Sequence, residues 1–423
     1  MDRGDRLVSY RTQVVETAAP LWSDGRGKIL VTIAAGWGLS MGVRMVYPVL
    51  LPHIRDAYGL GLSTAGLLLT ILFLAYALGQ LPSGVLTDRF GERVVLATSM
   101  FFAAGTLVLV VTATSVHVLF LATALFGASL ALFAIARYTA LTTLYSDHLG
   151  AANGVTSATS DASQSLLPAA AGVIAVAVAW QYGFVFALPL FVLIGIALWI
   201  VVPDSNTPPY DGGANRGTES SRGNSRGAGR LRDVASQLRQ PTVVGGTAIL
   251  TLGLCIWQAF TGFYPTYLIE VKGFSPTVAS GLFGVFFGLG VLVKPLSGSA
   301  YDRIGVRRSL LVVMGISGSA LAVLPMIDGF VPILAVTALV SVLLGFTVVV
   351  EPYLLVSIPE DIRGTGFGVL RTIGFTVGSA SPVLFGWSAD RGYFDEAFFS
   401  LALIAALMVG IALWLPTDRH GDA

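Results

Sequence analysis

Apolar runs of about 20 to 28 residues follow one another almost without pause along this 423-residue chain, and that cadence leaves few folds open. A helix needs roughly 20 residues to cross the hydrocarbon core of a bilayer. Outer-membrane barrel strands, with about 10 alternating residues each, do not produce such runs. With 54% hydrophobic and 12% charged residues, the apolar side chains exceed what a soluble core of this size encloses, so a lipid bilayer is the expected solvent. The fold class is all-α membrane protein, with twelve spans expected near 29–52, 64–86, 94–114, 117–144, 152–179, 184–202, 242–268, 278–300, 308–326, 330–357, 366–388 and 397–415.

The segment 1–28 ahead of the first span holds Arg3, Arg6, Arg11, Arg26 and Lys28 and no apolar run, so no cleavable signal peptide is expected and the first helix serves as the insertion signal. An even number of spans puts both termini on one side. With the amino terminus inside, the inner segments hold 18 Lys and Arg, six of them between 216 and 239, against Arg55, Lys272 and Arg391 in the outer loops. The positive-inside rule therefore predicts a multi-pass protein of the cytoplasmic (plasma) membrane with both termini cytoplasmic. The expected organisation is an N-terminal segment 1–28, six helices over 29–203, a linker 204–241, six helices over 242–416 and a tail 417–423. The linker is rich in Gly, Ser, Asn and Arg and has too little apolar content to fold alone. Its arginines read as positive-inside charge rather than a nucleic-acid site. Cys255 is the single cysteine, which excludes an intrachain disulfide and any multi-cysteine metal site; no metal is expected.

An internal repeat with one constant offset organises the chain. GVLTDRFGER (84–93) and GSAYDRIGVR (298–307) share G-x-x-x-D-R-x-G-x-R, and the same offset pairs Asp147 with Asp361, Gly150 with Gly364, Gly154 with Gly368, Val155 with Val369, Pro168 with Pro382 and Gly172 with Gly386. Six is an even number of spans, so the two copies share an orientation and are related by an axis along the membrane normal.

On these residues the chain resembles the major facilitator superfamily, whose signature after the second helix reads approximately G-x-x-x-D-R-x-G-R-R. Both copies are present, with Glu92 where the first usually has a basic residue. The resemblance implies two pseudo-symmetric six-helix bundles, alternating access, and a central cavity lined by the first, fourth, seventh and tenth helices. It also implies a gating role for Asp88, Arg89, Arg93, Asp302, Arg303 and Arg307, whose salt bridges and helix-end contacts would hold the outward-open state. An exposed pair alone would contribute little.

Six charged residues fall inside spans: Arg44, Arg137, Asp161, Lys294, Glu351 and Arg371. Each costs about 2.5 to 3.5 kcal/mol on insertion scales, so each needs a reason. With a rise of about 1.5 Å per residue, Arg44 and Arg137 lie near the midplane. The repeat sets Arg137 opposite Glu351 and Arg44 opposite Gln258. In the implied fold these four converge, and with Arg371 they form the expected substrate site. Two arginines on separate helices suit a carboxylate or phosphate through bidentate charge-assisted bonds. Glu351 is the expected carrier of a coupling proton, with Asp161 a second. Asp161 and Gln164 follow Ser157 on one stripe of the fifth span, and Asp161 with Lys294 is an expected ion pair between halves. The bland alternatives are that the arginines are buried pairs or carbonyl ligands that hold helices together, and that Glu351 pairs permanently with Arg137. Aromatic residues such as Trp37, Tyr47, Trp257, Tyr264 and Tyr353 suit either cavity walls or packing.

The stretch 42–91, beginning GVRMVYPVLLPHIRDAYGLG, is similar to the opening of organophosphate:phosphate antiporters and anion:cation symporters, in which a first-helix arginine contacts the anion; Arg44 matches by position. The resemblance thus implies a secondary active transporter of a small organic anion, acting as a monomer with the proton as coupling ion. A proton antiporter that exports hydrophobic or cationic drugs is the rival, although LLPAAAG in the fifth span lacks most glycines of the drug-antiporter motif. A transporter-derived receptor is a minor alternative. No phosphate-binding loop, H-E-x-x-H or nucleophile elbow occurs, so neither an enzyme nor a cofactor is expected.

Overall fold

A computed structural model describes residues 22, 26–204, 240–359 and 362–415, with no strand among them. Most of the N-terminal segment, most of the linker with its arginines, the tail and Asp361 lie outside the described residues. Ten stretches among the described residues are long and apolar enough to cross a membrane. One of them, Pro276–Met326, is 51 residues long and breaks at Gly305 (φ 76°, ψ 171°), so it supplies two rods. The 29-residue helix Leu149–Ala177 is outside the ten because it carries the polar stripe.

Counting both gives twelve rods among the described residues. These are α1 (Arg26–Tyr58), α2 (Leu62–Phe90), α3 (Glu92–Val111), α4 (Val116–Leu144), α5 (Leu149–Ala177) and α6 (Tyr182–Val201). The second six are α7 (Pro241–Glu270), α8 (276–304, with a turn at Leu289), α9 (306–326), α10 (Phe330–Ser357), α11 (363–389) and α12 (Phe394–Trp414).

The offset of the repeat recurs in the helix bounds. Leu62–Phe90 maps onto 276–304, and the motif glycines that end these helices, Gly91 and Gly305, have φ of 82° and 76° with extended ψ. A Cβ atom is excluded from that region, so the glycine of each motif copy is what lets the chain leave the helix there. Within each half the rods pack mainly on one another, α1 on α5 and α6, α2 on α4, α7 on α11 and α12. The halves meet along α2 with α11 and α5 with α8, two seams that the offset interchanges, and through the ends of α1 and α7. Small residues bring these seams together: a methyl group at Gly66 would overlap the carbonyl oxygen of Pro382, and one at Gly172 would overlap Ser280.

Both described ends of the chain lie on one face, here called proximal, and the halves are fastened at the opposite, distal face. Helix α2 begins after Gly61, which has no side chain to cap it. Asp390, beyond the end of α11, supplies the acceptor instead: the Leu62 amide donates to Oδ1 at 2.6 Å and the Ser63 amide to Oδ2 at 2.7 Å. The equivalent helix α8 caps itself, its Val278 amide donating to Ser275. Arg55 and Glu270 form an ion pair beside this contact.

Burial by itself raises the Asp390 carboxyl, but the Leu62 and Ser63 donors, with Arg55 nearby, hold it below the usual aspartate range. A depressed carboxylate contributes fully above the ordinary value of about 4 and loses that contribution only as pH falls through its lowered value. Thiol labelling from the distal face of a cysteine introduced at Leu69, in a Cys255→Ser background, should therefore stay constant between pH 5 and 8 relative to the labelling of a free thiol at each pH. Asp390→Ala should increase it, since losing a cap acceptor costs about 1 kcal/mol. Unchanged labelling in that variant would show that the cap does not fasten the seam.

Candidate functional site

A polar cavity of about 230 Å³ lies between the halves. Its walls come from the middle and proximal parts of α1, α2, α4, α5, α7, α8, α10 and α11. The distal face above it is closed by the seams already described.

Arg44 owes its position to a break in α1. Pro48 has no N–H to offer the carbonyl four residues earlier, and the helix interrupts at Met45, whose amide is shared between the carbonyls of Met41 and Gly42. Arg44, the last residue of the first segment, is only 5% exposed and reaches the cavity wall. Its guanidinium lies 4.9 Å from the Tyr76 ring centre, 5.4 Å from Trp257 and 5.7 Å from Phe73. Cation–π attraction of about 0.5 to 2 kcal/mol per ring offsets part of its desolvation. Among the described residues it has no acid partner, and its Nε is buried without a hydrogen bond.

Arg137 on α4 is 1% exposed and is held differently. Its Nη1 donates to Asn153 Oδ1 at 3.0 Å and Thr156 Oγ1 at 2.6 Å, two residues on one face of α5, while the ring centres of Trp37 and Tyr138 lie 4.4 and 4.1 Å from its Cζ. It too lacks an acid partner among the described residues, and its Nε is unbonded.

The two carboxylates of the cavity are both engaged. Lys294 Nζ on α8 donates to Asp161 Oδ1 on α5 at 2.5 Å, a pair that bridges the halves. Glu351 follows a 3-10 turn, Ser341–Gly345, inside α10 and precedes Pro352. Its Oε1 lies 3.3 Å from Arg371 Nε on α11, an ion pair without hydrogen-bond alignment, since that Nε is otherwise unbonded. A permanent Glu351–Arg137 pair is not what the structure contains, because Arg137 turns to the amide and hydroxyl of α5.

Of the residues expected at the site, Arg44, Arg137, Asp161, Lys294, Glu351 and Arg371 line the cavity, and Gln258 does not. One residue past Trp257, it is rotated by about 100° around α7 and packs near Gly378 of α11 with both amide atoms unbonded. Trp37 and Trp257 are wall residues, whereas Tyr47 stacks on Phe126 and Tyr264 on Phe260 within the core. Tyr76, Tyr138 and Phe375 also line the cavity. No charge marks them in the sequence; spacing along helices that carry an arginine, such as Arg137 beside Tyr138 and Arg371 four before Phe375, is the signal that was there.

The residues expected to gate lie at the proximal ends of α2, α3, α8 and α9, away from the cavity. Arg93 pairs with Asp204 at 2.9 Å and covers Trp199 within its own half. Among the described residues no ion pair joins the halves at the proximal face, as befits a form that is fastened at the other end.

The model of the Major Facilitator Superfamily matches residues 32–382. A probable nitrate/nitrite antiporter of Thermus thermophilus is 25% identical over 425 residues, 92% of this chain and 91% of the relative. A probable sulfoacetate transporter of Cupriavidus necator is 26% identical over 395 residues, 87% of each. A solved bacterial homologue of the human lysosomal transporter Spinster, in an inward-facing and unoccupied conformation, superposes with a TM-score of 0.76 at 13% identity, over 93% of this chain and 97% of that one. Doubled motif, helix bounds repeating at one offset, a cavity between the halves and the match along most of the chain agree: the protein belongs to the Major Facilitator Superfamily, a family of transporters rather than enzymes.

Proposed function

We propose that the chain carries a small organic anion across the cytoplasmic membrane by alternating access, with Arg44 as the principal anion contact and Glu351 as the proton carrier. The observation that carries this reading is Arg44 itself, a buried guanidinium on the cavity wall with no acid partner among the described residues. Rings around it leave the in-plane N–H edge as its free valence, and that edge fits the two oxygens of a carboxylate, sulfonate or phosphate. The names of the relatives, nitrate/nitrite and sulfoacetate, belong to anions as well.

The two halves, 29–203 and 242–416, act as rocking units about the α2–α11 and α5–α8 seams, as the chain's pseudo-symmetry suggests. With the termini cytoplasmic, as the Lys and Arg count has it, the proximal opening faces the cytoplasm. Asp88, Arg93, Asp302 and Arg307 then meet partners at that face when it closes. Asp161 and Lys294 tie α5 to α8 at cavity depth, so relative motion of the halves stretches or remakes that pair. A monomer contains the whole pathway.

The test is a thermal-shift screen of the purified protein with small organic anions, their neutral amides and organic cations. Anions should raise the melting temperature and amides should not. Stabilisation by cations alone would overturn the anion reading in favour of drug export.

A further inference from the structure

The charges on the cavity wall do not balance, and the imbalance has a size. Among the described residues four cations and two carboxylates line it, and each carboxylate already has a cation, Asp161 with Lys294 and Glu351 with Arg371. Two guanidinium groups remain, Arg44 and Arg137, on separate helices and at least nine-tenths buried. A buried charge without a counter-charge is strongly unfavourable, and a single negative charge neutralises only one of them. Each also keeps a buried Nε–H with no acceptor. Both face one wall of the cavity: Trp37, whose ring centre lies 4.4 Å from Arg137 Cζ, is seven residues before Arg44 and on the same face of α1.

Resting on the anion reading above, we propose that the substrate is a short dianion, one acid head on the Arg44 edge and the other facing Arg137. A chain of a few carbons with an acid group at each end offers one head to each of two cations that line a single cavity. The cavity volume of about 230 Å³ has room for a chain of that length. Because the Arg137 guanidinium already donates from Nη1 to Asn153 and Thr156, it is pre-positioned and reads the second head as charge at a set distance, while Arg44 makes the fuller contact.

Matched acids and amides test this on the full-length protein in detergent. Malonate, succinate and glutarate are compared with their monoamides, which keep the shape and lose one charge, and with their diamides, at constant ionic strength and pH 7.5, by calorimetry or thermal shift. At least one diacid should bind about tenfold or more tighter than its monoamide, since a second charge-assisted contact is lost in the latter. Arg137→Gln should bring that ratio close to one, and Arg137→Lys, which keeps the charge, should retain most of the preference.

Monoamides that bind as well as diacids, with diamides inert, overturn the dianion and leave the anion reading standing. Diamides that bind equally overturn both. Failure of all three diacids to bind, or a preference that survives Arg137→Gln, also overturns the dianion assignment. The melting temperature of each variant without ligand separates loss of recognition from loss of fold.

Discussion

Arg44→Lys should weaken anion binding by about 10- to 100-fold, although the substitution keeps the positive charge. Lysine presents a compact ammonium on a flexible stem, whereas arginine offers two parallel N–H donors in a plane. The loss of one charge-assisted hydrogen bond of about 1.5 to 3 kcal/mol corresponds to that range. The packing sharpens the expectation, because Tyr76, Phe73 and Trp257 flank a planar guanidinium. An ammonium has no face to lay against them and would move within the pocket. Arg44→Gln removes the charge as well and should abolish measurable binding. The measurement is ligand affinity by calorimetry, with the ligand-free melting temperature as a check on folding. Normal transport by Arg44→Lys would show that the residue balances charge without contacting the anion.

The second large effect is expected at Glu351. Glu351→Gln removes the carboxylate proposed to carry the proton and releases Arg371 from its 3.3 Å ion pair, so the cavity becomes more positive. Anion binding should be equal or tighter. Accumulation driven by a pH difference across proteoliposomes should be lost, while exchange of labelled for unlabelled substrate, which needs no net proton movement, should continue. The loose alignment of the Glu351–Arg371 pair suits this role, since a carboxylate held by a single poorly directed contact is released with little rearrangement. If the variant still concentrates substrate with only a pH gradient to drive it, Glu351 does not carry the coupling proton, and Asp161 becomes the next group to test.

Much of the fold was legible because the signals behind it are one-dimensional. Crossing a bilayer demands a run of apolar residues of set length, and the runs near 64–86 and 117–144 became Leu62–Phe90 and Val116–Leu144. The register of the repeat was legible for a similar reason. Gly91 and Gly305 are where the backbone takes a conformation closed to other residues, so the motif copies mark equivalent turns in the sequence itself. Leu149–Ala177 was less obvious by hydropathy because Ser157, Asp161 and Gln164 face the cavity rather than lipid.

The order of residues along the chain was enough to fix which of them carry charge at membrane depth, that the chain is two copies of one six-helix plan, and that Arg44, Arg137 and Glu351 stand at comparable heights. Helix packing then settled which acid meets which base and which side chains face the cavity. Glu351 meets Arg371 and not Arg137, Gln258 turns away where Trp257 turns in, and Asp390 caps a helix in the other half of the chain. The cause is geometric. Position along a helix sets depth, at about 1.5 Å per residue, but each residue also turns the side chain by about 100°. Which direction is inward, and what waits there, is set by how neighbouring helices pack.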